Sequence, residues 1–254
     1  MPNNQAVTDL IIKMADDELI LGHRNSEWTG LGPVMEEDIA FSSMAQDKIG
    51  HAWALYRALE EHLGGSDPDR FAFIRKEEAF KCSHFVEMPN GQYDFSLMRH
   101  FLFDHAETVR YESLHSSSFT PFQLLSRKVK GELKYHTLHA NAWIMQLCRA
   151  GEDSYERMSA AMEEAFALAA GLFEPSAEYE EILIAEKVYP GEKELFNRWL
   201  DRIYPVLVKA SLNLPDMDTL QPVYGGRKGQ HTPHLAPLLK EMGEVFNQDT
   251  NASW

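Results

Sequence analysis

The longest helical pattern in the chain covers residues 32–65, with the sequence GPVMEEDIAFSSMAQDKIGHAWALYRALEEHLGG. Proline near the first helical position and the acids Glu36, Glu37 and Asp38 in the first turn both favour a helix start. The closing Gly-Gly pair favours a helix end. Roughly 30 residues that rise about 1.5 Å each make a helix about 45 Å long. The stretch therefore predicts one long helix that occupies nearly all of it.

The same helical period continues along the rest of the chain. Further helices are predicted at about residues 8–24, 67–80, 93–117, 121–151, 154–173, 192–212 and 234–246. No run of alternating apolar and polar residues is long enough for a sheet, and no linker divides the chain. We therefore expect one all-α domain over residues 1–254, with a core bundle at about 8–151 and accessory helices at about 152–247. The aromatic side chains expected in the core are Phe41, Trp53, Phe101 and Trp143.

The composition excludes several classes of protein. Apolar residues make up 44% and charged residues 25%, which is typical of a globular domain. The formal net charge of −15 repels phosphate backbones and anionic lipids, so neither nucleic acid nor a membrane is an expected partner. Two cysteines and the lack of a signal-like segment favour a cytoplasmic location. No glycine-rich nucleotide motif and no Gly-x-Ser-x-Gly occur, so we expect no cofactor-binding or catalytic residue of those types.

Each of the four long predicted helices carries a carboxylate within a stripe of apolar or small residues. The acids are Asp17, Asp47, Asp104 and Glu132, and the second and fourth are followed one turn later by His51 and His136. Residues three or four apart share one helix face, so each acid is expected to point inward with its apolar neighbours. The second pair of acids follows the first by 87 and 85 residues, which indicates a duplicated helix hairpin.

This pattern is typical of a di-metal carboxylate bundle, in which two helices supply a Glu each and two supply Glu-x-x-His. Here the histidines follow the acids at i+4, and position i+3 holds Gly50 in one motif and Tyr135 in the other. Neither replaces a nitrogen ligand, and three of the four acids are the shorter Asp. The pattern therefore favours a buried polar network without metal, with Arg24, Arg110 and Lys134 as basic partners.

Other interpretations of the same pattern stay open. One is an oxygen-activating di-metal enzyme, in which the ligands would be Asp17, Asp47, His51, Asp104, Glu132 and His136. Another is a ferritin-like binding protein without an enzymatic partner. A third is that the helix faces are misassigned.

The loop at residues 225–229 is basic in an acidic chain. Glycine-rich basic loops cradle phosphates, so the loop contacts a phosphate such as those of CoA, a partner subunit, or the chain's own acidic surface. His231 and His234 follow this loop and are spaced like a ligand pair. No third ligand is evident nearby, which favours a capping or packing role for both.

Seven strings in this sequence are long or uncommon. They are MADD at 14–17, LGHRNSEW at 21–28, EEDIA at 36–40, DKIG at 47–50, EMPNG at 87–91, ELKYH at 132–136 and GRKGQHTPHL at 226–235. Together they resemble the PaaC family, which are subunits of the bacterial phenylacetyl-CoA monooxygenase (ring 1,2-epoxidase). The likeness covers about residues 10–245, nearly the whole chain.

The resemblance implies a ferritin-like four-helix bundle with additional C-terminal helices. It implies a structural, non-catalytic subunit in aerobic phenylacetate catabolism, which has no metal or cofactor of its own. A homologous subunit, PaaA, would hold the di-iron centre and bind the CoA thioester, and PaaB would bridge the assembly. A reductase, PaaE, would carry FAD and an iron–sulfur cluster and deliver electrons from NADPH for epoxidation by O2. Whether the chain forms a homodimer when alone stays open.

Overall fold

The computed structural model describes residues 2–250, whose regular structure is entirely helical. The α-helices are α1 Asn4–Ser26, α2 Met35–Leu63, α3 Pro68–Phe73, α4 His84–Glu87, α5 Tyr93–Leu114, α6 Thr120–Leu147, α7 Glu152–Ala170, α8 Glu180–Ala185, α9 Glu192–Lys209 and α10 Leu235–Met242. Five short 3-10 turns connect or extend them. The prediction of an all-α, ferritin-like fold is confirmed. No helix within residues 2–250 is both long and apolar enough to cross a membrane.

The four longest helices begin and end close to where the sequence places them. α2 has its three acids in the first turn, and it ends at Gly64, which adopts a left-handed conformation with φ 74°. The Gly64 N–H donates to the carbonyl of Leu59, which satisfies a helix-end acceptor. α6 has a proline in its first turn, where no helical hydrogen bond is lost. Acids or proline in the first turn and glycine after the last turn therefore predict the ends of these helices well.

The predicted helix at residues 67–80 is wrong in its second half. α3 ends at Phe73, and a separate 3-10 turn covers Glu77–Ala79. The side chain of Arg75 donates to the carbonyl of Phe71 at 2.5 Å, which takes an acceptor that a continuing helix would use. The short helices α4 and α8, of 4 and 6 residues, were not predicted because so few residues show no clear period.

The described chain separates into two compact units. Among the described residues, the flanking unit comprises residues 7–89 and 224–250, and the midchain unit comprises residues 2–6 and 90–223. Each unit is described by itself below. The single domain over residues 1–254 stays a prediction.

The midchain unit is built around α5, which contacts α6, α7 and α9. Trp199 on α9 is fully buried, and its indole N–H donates to the carbonyl of Leu102 at 3.0 Å. Its ring packs on Phe166 and Phe173, with centroids 5.3 and 5.2 Å away. Helices beyond residue 152 thus help to form the core that encloses α5.

The flanking unit brings α1 and α2 together at Gly22. A Cβ atom there would lie 2.8 Å from Ile49 Cγ1 and 3.3 Å from the Ala45 carbonyl oxygen, so a larger residue would force the helices apart. The loop at 225–229 packs even more closely on the segment before α4. A Cβ atom on Gly226 would lie 2.0 Å from the carbonyl oxygen of Cys82. Glycine therefore permits both close backbone contacts.

Candidate functional site

The buried face of α2 is shifted by one residue from the predicted one. Asp47 is half-buried, whereas the next residue, Lys48, is fully buried. In α6, Glu132 is half-buried and the next residue, Leu133, is buried. Asp47 and Glu132 are therefore less buried than predicted, and their place in the polar network stays a prediction. Residues three and four positions before a histidine both lie within about 60° of it around a helix, so spacing did not distinguish them.

In the observed register the two motifs are KIGH at residues 48–51 and LKYH at residues 133–136. A di-metal carboxylate bundle has glutamate at the first position of each motif. Lys48 brings a positive charge to that position, and Leu133 brings no ligand atom. Neither motif supplies a metal-bridging carboxylate, so these residues do not fit a di-iron centre.

The buried acid beside Lys48 is Glu18 on α1. Glu18 Oε2 lies 3.8 Å from Lys48 Nζ, and Glu18 Oε1 lies 3.1 Å from His51 Nδ1. All three side chains are at most 4% exposed. A buried carboxylate needs a cation or hydrogen-bond donors, and Lys48 and His51 supply them. We call these three residues the lysine cluster.

Asp17, the neighbour of Glu18, binds a different partner. Arg227 donates from Nη2 to Asp17 Oδ2 at 2.7 Å and from Nη1 to Asp17 Oδ1 at 2.8 Å. The Ser83 backbone N–H also donates to Asp17 Oδ1, at 2.7 Å. Both Asp17 and Arg227 are buried, and a bidentate pair of this kind has a well-defined geometry. Of the three kinds of contact expected for the 225–229 loop, Arg227 makes the one with an acidic residue of its own chain, Asp17.

The predicted basic partners have other contacts. Arg110 forms a buried bidentate pair with Glu192, with distances of 2.7 and 3.0 Å, and Lys134 is exposed. Arg24 donates to the main-chain carbonyl of Glu87 at 2.9 and 3.2 Å. The prediction was wrong for Arg110 and Lys134, because these contacts depend on chain segments that a local helical pattern does not bring together.

Asp104 on α5 lies among histidines in the midchain unit. His100 Nδ1 pairs with Asp104 Oδ2, and His136 Nδ1 lies 3.2 Å from Asp104 Oδ1. His139 Nδ1 lies 3.3 Å from His100 Nε2, which extends the chain of polar contacts. Burial lowers the pKa of His100 to about 4, so its ring is neutral at pH 7. We call these four residues the histidine cluster.

Four predicted side chains, Asp17, His51, Asp104 and His136, are buried as expected. The structure assigns their contacts to residues that sequence reasoning missed, which are Glu18, Lys48, His100, His139 and Arg227. A signal for two of these existed, because His100 precedes Asp104 by one turn and His139 follows His136 by three residues. No local signal linked Arg227 to Asp17.

The comparisons with known proteins agree with the motif resemblance. The family model described as phenylacetic acid catabolic protein matches residues 1–254. A curated relative from Escherichia coli (strain K12), named as a subunit of 1,2-phenylacetyl-CoA epoxidase, is 28% identical over 236 residues. That match covers 93% of this chain and 94% of the relative. The resemblance is thereby confirmed, and the chain belongs to the family of phenylacetic acid catabolic proteins.

Proposed function

We propose that the chain is a structural, non-catalytic subunit of a phenylacetyl-CoA epoxidase in phenylacetate catabolism. Its partner would be a homologous subunit, PaaA, that carries the di-iron centre and binds the CoA thioester. PaaB would bridge the assembly, and PaaE would pass electrons from NADPH through FAD and an iron–sulfur cluster. The relative's name supports a multi-subunit enzyme, because it describes that protein as one subunit of an epoxidase. The proposed location is the cytoplasm.

The observation that carries this proposal is the buried Lys48. Two iron ions close together need several anionic oxygen ligands, and a Lys ammonium at the place of a bridging carboxylate repels such ions. Glu18, the acid beside it, already contacts Lys48 and His51. The corresponding position of the second motif holds Leu133, which has no ligand atom. The side chains that would hold the metal are thus used for packing and for internal charge balance.

The outer face of α2 supports a role in binding a partner. Between residues 39 and 53 the exposed residues of α2 are Ile39, Ser43, Gln46, Ile49, Gly50 and Trp53, none of which is charged. Such an uncharged face is unusual in a chain with a net charge of −15. Trp53 is 51% exposed, so its predicted place in the core is wrong. We name these six residues the α2 outer face.

Gly50 adds to this support. A Cβ atom on Gly50 would meet nothing within 4 Å, so packing within this chain does not require glycine there. Glycine inside a helix costs about 1 kcal/mol relative to alanine. A helix of the catalytic subunit that packs closely on α2 would explain why the small residue is useful.

The partner surface is tested by co-purification with the catalytic subunit. We expect Ile39→Glu to lose most of the bound partner, because it places a charge within an apolar contact. The matched control is Val208→Glu on α9, another exposed aliphatic position, which should retain the partner. Equal retention by both variants would exclude the α2 outer face as the docking surface.

The non-catalytic role is tested in the assembled complex with Asp104→Asn. We expect unchanged epoxide formation per mole of assembled complex, because Asp104 contacts histidines and no reacting atom. Subunit ratios in the purified complex control for assembly. A complex that assembles fully but loses turnover would favour an oxygenase site in this chain instead.

A further inference from the structure

Cys82, Glu87 and His231 converge in the flanking unit, apart from the lysine cluster. Glu87 Oε1 lies 2.7 Å from His231 Nδ1, and Cys82 Sγ lies 3.6 Å from Glu87 Oε1. Cys82 Sγ is 4.0 Å from His231 Nδ1, so all three ligand atoms lie within 4.8 Å of one another. Cys82, Glu87 and the His231 imidazole are fully buried. A thiol, a carboxylate and an imidazole are therefore directed at one small volume.

The spacing of these three atoms suits a single metal ion. A circle drawn through three points separated by 2.7, 3.6 and 4.0 Å has a radius of about 2 Å. Typical zinc distances are about 2.0–2.2 Å to nitrogen and oxygen and about 2.3 Å to sulfur. One ion would thus reach all three atoms with only small side-chain movements.

The surrounding contacts orient two of the ligands. His231 Nε2 donates to the carbonyl of Phe80 at 3.1 Å, which leaves Nδ1 directed at Cys82 and Glu87. The Thr232 backbone N–H donates to Glu87 Oε2 at 2.7 Å, which fixes the carboxylate. Metal-binding histidines almost always donate their second N–H to a carbonyl or carboxylate in this way.

The loop that carries His231 is held against the ligand segment by glycines. Gly226 lies against the Cys82 carbonyl, and Gly229, with φ 73°, would place a Cβ atom 2.4 Å from the Glu78 carbonyl oxygen. Any larger side chain at these two positions would push the loop away and move His231 from Cys82 and Glu87.

The ligand set matches the charge of a divalent ion. As ligands, a Cys82 thiolate and a Glu87 carboxylate would balance its two positive charges, and a neutral His231 imidazole would complete the set.

We propose that Cys82, Glu87 and His231 bind one zinc ion, with a water molecule as the fourth ligand. The mixed set of sulfur, oxygen and nitrogen ligands suits a borderline-soft ion such as zinc. The ion links the loop at 225–231 to the segment at 80–87 and so fixes the loop whose Arg227 binds Asp17. This proposal does not depend on the proposed function, because none of its ligands belongs to the lysine or histidine clusters.

The test is a cobalt and zinc titration of the purified full chain. We expect cobalt to produce a near-ultraviolet thiolate-to-metal absorption band at one equivalent, with zinc displacing the cobalt and raising the Tm. Cys82→Ser should abolish the band and weaken binding by more than about 100-fold, since even outer contacts of a metal site are worth 10–100-fold. The matched control is Cys148→Ser, which removes the other cysteine and should behave as wild type.

Two results would overturn the proposal. The first is a wild-type chain that gives no thiolate band with excess cobalt, because the three residues then form only an ion pair with a nearby thiol. The second is zinc binding that is unchanged in Cys82→Ser. Should Cys82→Ser fail to fold, Glu87→Gln removes a charged ligand at nearly constant volume, and it is expected to weaken zinc binding while Cys148→Ser does not.

Discussion

The lysine cluster and the histidine cluster stabilise a buried acid in different ways. Both are formed on a pair of long helices, and His51 and His136 are 85 residues apart in the two motifs. In the flanking unit Lys48 accompanies Glu18, whereas in the midchain unit the imidazoles of His100 and His136 contact Asp104. The residue three positions before the histidine is the cation Lys48 in one motif and the apolar Leu133 in the other. The two clusters should therefore respond differently to charge deletion and to acid.

The largest expected effect is from Lys48→Met. Removing the ammonium leaves Glu18 buried without its cation, which costs about 3–5 kcal/mol for a broken buried pair. The measurement is the free energy of unfolding in urea at pH 7. The matched control is Lys134→Met, which removes an exposed lysine of α6 and should change stability by less than about 0.5 kcal/mol.

A double variant separates charge from packing at this position. Glu18→Gln combined with Lys48→Met should recover most of the lost stability, because no uncompensated charge is then buried. A double variant as unstable as Lys48→Met alone would show that the lysine acts through its shape and not through its charge.

Counted per titrating group, acid should destabilise the midchain unit next most strongly. Burial lowers the pKa of both His100 and His105 to about 4, and His105 Nδ1 has no hydrogen-bond partner among the described residues. Their folded-state pKa lies below the unfolded value of about 6.5, so the unfolded chain binds more protons and stability falls from about pH 6.5 to pH 4. The full effect is of the order of 3 kcal/mol per histidine.

The urea midpoint measured between pH 7 and pH 4.5 checks this effect. His105→Gln keeps a polar group near Asn141 but does not titrate, so its midpoint should fall less steeply than that of wild type. Identical slopes for the two proteins would mean that the pKa of His105 is the same in the folded and unfolded chain.

A smaller effect is expected for Arg227→Lys. Lysine keeps the charge beside Asp17 but not the two parallel hydrogen bonds of the guanidinium, so we expect a loss of about 2 kcal/mol in unfolding free energy. Arg57→Lys, at a partly exposed position in α2, is the control and should be nearly neutral. A neutral Arg227→Lys would indicate that the bidentate pair contributes little.

The smallest effect is a gain in stability from Gly50→Ala in α2 and Gly131→Ala in α6. Both glycines are exposed, and an added Cβ atom meets nothing within 4 Å at either position. In the purified chain without partners, each variant should have a free energy of unfolding up to about 1 kcal/mol higher than that of wild type. Gly22→Ala is the contrasting variant, because its Cβ atom would lie 2.8 Å from Ile49 Cγ1 and should destabilise the chain.

The sequence predicted the long helices but not the contacts of the buried acids. Asp16, Asp17 and Glu18 are consecutive and all buried, so no periodic pattern tells which of them faces α2. Asp16 accepts from Tyr56 at 2.5 Å and pairs with Arg75, while its two neighbours bind Arg227 and Lys48. Helix periodicity identifies the buried face of a helix only to within one residue. For this reason the sequence pattern predicted a buried Asp47, whereas the buried residue is Lys48.

Contacts between distant segments lay beyond sequence reasoning for a second reason. Arg227 binds Asp17 across 210 residues, and His231 reaches Glu87 across 144 residues. Such pairs follow from how the 225–231 loop packs on the segment before α4, which close glycine contacts determine. One sequence without relatives shows the glycines and His231 of this loop, but it does not show that they contact the segment before α4.

Anaerobic addition of ferrous iron to the purified full chain tests whether the lysine and histidine clusters have lost the di-iron centre. Iron that remains bound is measured after gel filtration, together with the absorption of any oxo-bridged pair after exposure to O2. We expect no stoichiometric iron and no such band, because Lys48 and Leu133 stand three residues before the histidines, where a di-metal carboxylate bundle has glutamate. Two iron ions per chain with an oxo-bridge absorption would contradict this interpretation.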